Sequence, residues 1–220
     1  PAVLSALPAV PAGWWRLVPI AITLILLAGF IGAYAPPSDH DTLRYHLTLP
    51  HRDLAWGKIA VYFGWSVYEF SPPLSGLLTR FIYALAGPTG AQQLHVVWEL
   101  LAAGTAAVIA RRLGIKPEFC WLAALFLLSQ RVSINLASTA SNEFVLAAYA
   151  GGSVIVAQHF ISQRNIASAA LLGLVIGGLC SVKHHGMIFA ICLALPVLIA
   201  AIRHRIPARP LAIIVMTTSV

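Results

Sequence analysis

Long apolar runs separated by short polar ones set the pattern of this chain. A membrane-spanning helix needs about 20 mostly apolar residues. Six segments approach that length, at 17–35, 91–110, 119–137, 141–160, 166–183 and 186–202, and a seventh opens near 211. The pattern predicts an all-α polytopic membrane protein with six to seven transmembrane helices. The stretch 72–87, PPLSGLLTRFIYALAG, is shorter and carries Arg80 in its middle. It predicts a helix that lies in the interface or re-enters it. The first apolar run leads into a polar island at 39–59, DHDTLRYHLTLPHRDLAWGKI. There Leu43, His46, Leu47 and Leu54, with Trp56 beyond, are spaced loosely like one helix face, interrupted by Pro50. Trp and Tyr favour head-group depth, so interfacial helices are expected near 41–57 and 73–87.

Residues 1–16, with their Pro-rich start, read as a lead-in, and 17–220 as one transmembrane domain whose outer loop and interfacial helices span 36–90. The chain starts at Pro1 and stops inside an apolar run, so it reads as the N-terminal fragment of a longer protein, its domain incomplete. The segment from Leu17 is too long and too poorly flanked for a cleaved signal peptide.

Composition agrees with the pattern. The chain is 59% hydrophobic and 10% charged, against about 25% charged in soluble domains. Its net charge of +7 sits mainly in short loops, where bases set orientation and meet anionic head groups rather than nucleic acid. Arg111, Arg112 and Lys116 follow one span, His159 and Arg164 another, and Arg203, His204, Arg205 and Arg209 a third. The positive-inside rule makes these alternate loops cytoplasmic. The island, the turn at 131–142 and the turn at 183–185 are then expected together on the outer face. Cys120, Cys180 and Cys192 lie in apolar runs without metal-ligand spacing and read as small buried hydrophobes.

The island holds three of the seven carboxylates and three of the eight histidines. Asp39 and Asp41 can take a proton from an attacking hydroxyl or help hold a divalent cation. They equally suit the N-cap of the helix that follows. Glu143 enters a span behind Asn142. Intramembrane acids are expensive and functional by default, yet Ser141 or Asn142 can cap a helix whose first turn holds Glu143. Lys183 precedes His184 and His185 in an outer turn where topology needs no base. It suits a phosphate or is a solvated loop base. His184 and His185 have no third zinc ligand at useful spacing. His95 and Glu99, one turn apart in mid-span, can pair inside the bundle. Gly173, Gly177 and Gly178 suit close helix packing.

These segments resemble the bacterial branch of the C-type (GT-C) membrane glycosyltransferases, related to dolichyl-phosphate-mannose protein mannosyltransferases and aminoarabinose lipid A transferases. The likeness runs from Asp41-Thr42-Leu43-Arg44-Tyr45-His46-Leu47, with Pro50, through Ser71-Pro72-Pro73-Leu74 and Ala110-Arg111-Arg112-Leu113-Gly114. It continues in Ala140-Ser141-Asn142-Glu143 and the Gly-rich helix that ends at Lys183 and Gly186, covering about 36–186. The resemblance implies Asp41 as catalytic base for an acceptor hydroxyl and Glu143 as a second acid near the donor phosphate or a divalent cation there. It implies Lys183 as the phosphate-binding base, and Tyr45 and His46 as pocket lining. Asp39 stands in reserve to Asp41, and His184 adjoins the phosphate-binding base. Many relatives carry Asp where this chain has Asn142-Glu143. The implied partners are a polyprenyl-phosphate-linked sugar, a lipid, glycan or protein acceptor, and membrane lipids. The implied place is the bacterial inner (plasma) membrane, with an extracytoplasmic active face. The competing readings are a transporter or flippase of envelope precursors and a non-catalytic membrane assembly protein. Arg44, Arg52, Asp53 and Lys58 are expected on the wet side of an interfacial helix.

Overall fold

The computed structural model describes residues 8–59, 74–136 and 138–219, and every regular element among them is helical. Ser71, Pro72 and Pro73 of the resemblance, and the start of the lead-in, lie outside the described residues. Helix α1, Leu17–Gly32, follows a 3-10 turn at Gly13–Arg16. The island then folds as two short pieces. Asp39 Oδ2 accepts the Thr42 amide at 2.9 Å, which starts a turn. The turn widens at Thr42–His46, where the Leu47 amide reaches back five residues to the Thr42 carbonyl at 2.9 Å. Such π-turns gather at functional sites. Helix α2 follows at Thr48–Ala55. Pro50 does not interrupt it, because it falls in the first turn, where backbone N–H groups have no intrahelical acceptor.

Helix α3, Leu74–Arg112, joins the two helices expected at 73–87 and 91–110. Gly87 breaks it with φ 65° and ψ −165°, a conformation that costs glycine little. Pro88 then opens the second half, where its missing N–H is not needed. The span expected at 119–137 divides into α4, Pro117–Leu128, and α5, Arg131–Leu136. Polar residues at the break explain it: Ser129 and Gln130 side chains both donate to the Phe126 carbonyl and end α4. Helix α6 is Glu143–Gln163, α7 Ile166–Cys180, α8 His184–Arg203 and α9 Ala208–Thr218.

Among the described residues four helices are long and apolar enough to cross a membrane: Gly13–Gly32, Leu74–Arg112, Glu143–Gln163 and His184–Arg203. The apolar helices α4, α7 and α9 are shorter. One core joins α1, α3 and α4 through Val18, Ile22, Ala103, Ala107, Ala124 and Leu128. A second joins α6 to α9 through Phe160, Ala169, Leu172, Val197 and Ala201. Large apolar side chains also point outward, among them Leu24, Phe126, Ile191 and Leu195. An apolar exterior of this extent fits a lipid solvent. The small residues of α7 serve close contact, since a Cβ on Gly173 would sit 1.8 Å from Thr217 Oγ1 of α9.

The bundle has two distinct ends. Thr42 Oγ1 accepts the Ala140 amide at 3.2 Å, and the Leu74 amide donates to the Ser181 carbonyl at 2.9 Å. Ser75 Oγ donates to Asn142 Oδ1. These bonds gather the island, the start of α6 and the α7–α8 turn at one polar end, the three segments that loop charge assigned to one face. Arg112 marks the opposite, basic end, where its guanidinium donates to the Ile155 carbonyl at 2.8 Å and to Gln158 at 3.2 Å.

Candidate functional site

The polar end is built around an ion pair. Lys183 Nζ donates to Glu143 Oε1 at 2.8 Å. Glu143 is the first residue of α6, and Lys183 is the extended residue before α8. Gly186 lets that turn pack tightly, because a Cβ there would lie 1.9 Å from the Leu179 carbonyl oxygen. Both side chains remain partly open, at 32% for Lys183 and 46% for Glu143. A pair this open can exchange its partner for a ligand.

His46 lies beneath the pair at 7% exposure. Burial above all pulls its pKa down to about 3, and His95 and Lys183 push the same way, while Glu143 and Asp39 oppose them. The ring is therefore neutral near pH 7. Tyr45 packs against it, with ring centroids 4.1 Å apart and planes tilted by 44°. The structure thus draws His46, Tyr45, Asp39, Glu143 and Lys183 toward one place. Asp41 stands apart: it is exposed, has no hydrogen bond or ion pair among the described residues, and is not among the groups acting on His46. His184 and His185 are exposed at the rim.

The capping alternatives divide. Asp39 does cap its helix. Asn142 precedes α6 but makes no side-chain cap, and its carbonyl oxygen goes to Ser75 instead. Ser75 carried no signal in the sequence, because a lone Ser in an apolar run says nothing of its distant partner.

Two expectations need correction. Arg52 and Asp53 are not a wet helix face: they are 6% and 4% exposed. Asp53 Oδ1 pairs with Arg52 at 2.8 Å, and Oδ2 accepts from Arg80 Nε at 2.7 Å. Arg80, which marked 72–87 as unable to span, is instead neutralised by α2. Arg52 also lies 5.5 Å over the Trp56 ring. Second, His95 and Glu99 do not pair, since both Glu99 oxygens lack a hydrogen-bond partner among the described residues.

Among the described residues no three His, Cys, Asp or Glu side chains gather in metal-ligand geometry. Chemically the polar end offers a cation open to an oxyanion, two acids beside it and a neutral imidazole. No family model, curated protein or solved structure matches the chain.

Proposed function

We propose that the chain is a C-type membrane glycosyltransferase that moves a sugar from a polyprenyl-phosphate donor to a lipid, glycan or protein acceptor. The active face is the outer face of a bacterial plasma membrane, at the polar end. In this reading α1, α3, α4 with α5, α6, α7 and α8 make six crossings and α9 a seventh. The observation that supports it is the half-open Lys183–Glu143 pair beside His46 and Asp39. Lys183 exchanges Glu143 for the donor phosphate, a favourable swap for a compact ammonium. Asp41 takes the acceptor hydroxyl proton as the oxygen bonds to the anomeric carbon. The sugar–phosphate bond breaks, and the phosphate leaves with the electron pair, held by Lys183. Tyr45 and His46 line the pocket, Glu143 is the second acid near the donor phosphate, and His184 borders the phosphate. Holding the groups in line and stabilising the leaving charge supply most of the rate.

The test is transfer from a radiolabelled polyprenyl-phosphate sugar by the full-length protein in vesicles. Asp41→Asn is expected to abolish transfer while the protein still folds. Retained transfer removes Asp41 from this role, and loss in Asp39→Asn alone moves the base to Asp39. Labelling of single cysteines at Ser38 and His184 from outside, and at Arg112 from inside, checks the orientation.

A transporter of envelope precursors is the second reading. Buried Glu99 favours it, because ionisable groups in mid-helix line pathways in transporters. Substrate flux across the vesicle without sugar transfer would establish it.

A further inference from the structure

Gln92, His95 and Glu99 follow one another at spacings of three and four on α3, so they share a face. All three are sealed from solvent, at 1%, 1% and 0% exposure. Gln92 is anchored by its amide, which donates to the Ala33 carbonyl at 2.9 Å. The rest of the stripe is largely unanswered. Among the described residues, Gln92 Oε1 and both carboxylate oxygens of Glu99 lack a hydrogen-bond partner, and His95 above them meets only the Ser141 backbone. Buried polar atoms are nearly always paired, and each one left alone is destabilising. So many together call for an occupant. Water is what such polar interiors hold, each molecule making about three hydrogen bonds.

One end of the stripe meets the polar end of the bundle, and the other lies deeper in it. Ser141 and His46, both neighbours of His95, belong to the polar end. Glu99 lies eleven residues below Pro88, about 16 Å along the helix, which is about half of a 30 Å hydrocarbon core. The elements packed on α3 supply few charges. From α6 come Glu143, Tyr149 and His159, from α4 Glu118 and Cys120, from α2 His51, Arg52 and Asp53, and from the turns His46, Asp39 and Lys183. Helix α1 has no ionisable side chain. None of these groups bonds to Glu99.

We propose that His95 and Glu99 form a proton-binding site inside the bundle, fed from the polar end by water past Ser141 and His46. Each water gives one proton to its inner neighbour as it takes one from its outer neighbour, hydronium at the polar end supplies the first, and a Glu99 O–H or His95 N–H bond forms at the inner end. A metal ion fits less well, because one carboxylate and one imidazole are too few ligands and no third gathers with them. The inference rests on α3 crossing a membrane and not on sugar transfer.

The experiment is infrared difference spectroscopy of the full-length protein in lipid nanodiscs, titrated from alkaline to acid in light and heavy water. The expected result is a protonated-carboxyl band that grows on acidification, shifts down in heavy water and vanishes in Glu99→Gln. His46→Gln slows the heavy-water shift severalfold. A band in Glu99→Gln equal to the wild type overturns the proposal, as does a wild-type band that ignores pH or heavy water. A band set by sodium or potassium instead of pH overturns it in favour of a cation site. Should Glu99→Gln not fold, Glu99→Asp serves, since it must move the band. Sugar transfer is assayed separately, so failure of one reading leaves the other intact.

Discussion

Lys183 and Glu143, forty positions apart, meet at 2.8 Å where α6 begins and α7 turns into α8. Neither side chain is enclosed, so the pair has little to do with stability. Exposed ion pairs contribute about 0–1 kcal/mol. Lys183→Ala is therefore expected to shift the melting temperature very little. It should weaken donor binding much more, because a hydrogen bond to a charged group is worth about 1.5–3 kcal/mol, or about 10- to 150-fold. Calorimetric titration with a polyprenyl phosphate, beside a thermal melt, separates the two. Equal loss in both measurements would make the pair structural.

Asp53 is the opposite case. Its carboxylate is buried and serves two guanidiniums, Arg52 and Arg80. Asp53→Ala removes the buried acid that both guanidiniums share, and breaking such a pair costs about 3–5 kcal/mol. Arg80→Met should cost less, because Arg52 still neutralises the acid. The order of thermal stabilities, wild type above Arg80→Met above Asp53→Ala, is the measurement. An unchanged melt in Asp53→Ala would mean that α2 is not held by this network.

His46 gives the protein a defined acid sensitivity. Its folded pKa of about 3 lies below the unfolded value of 6.5. The unfolded chain therefore binds a proton that the folded one refuses, and stability falls as pH drops from 6.5 toward 3, at up to about 1.4 kcal/mol per pH unit. Above 6.5 the residue contributes no pH dependence. His46→Asn should flatten the melting-temperature profile in that window relative to wild type. Parallel profiles for the two proteins would mean that His46 is not buried in its neutral form.

Much of the fold was legible because a lipid solvent imposes simple demands. Apolar length and the placement of Arg111, Arg112 and Lys116 outlined the helices and grouped the polar turns at one end. Capping by Asp39 was legible too, since a cap acts within one turn. The ends of helices were harder: Ser129 and Gln130 stop α4 through local bonds to Phe126 that hydropathy averages away.

Partners across the bundle were not legible. Asp53 and Arg52 looked solvated because a one-dimensional pattern cannot reveal that Arg80 folds back onto them from 27 positions away. The same limit concealed the bond from Ser75 to Asn142 and the burial of Thr42 against Ala140. His95 and Glu99 were visible as a pair one turn apart, yet their isolation is a fact of packing. Sequence by itself determined a helical chain with helices apolar enough for a membrane and its polar turns at one end, because hydrophobicity and loop charge act locally. Tertiary structure alone decided which charges are neutralised in the interior and which stay open, because burial and pairing depend on what other segments bring to the same point.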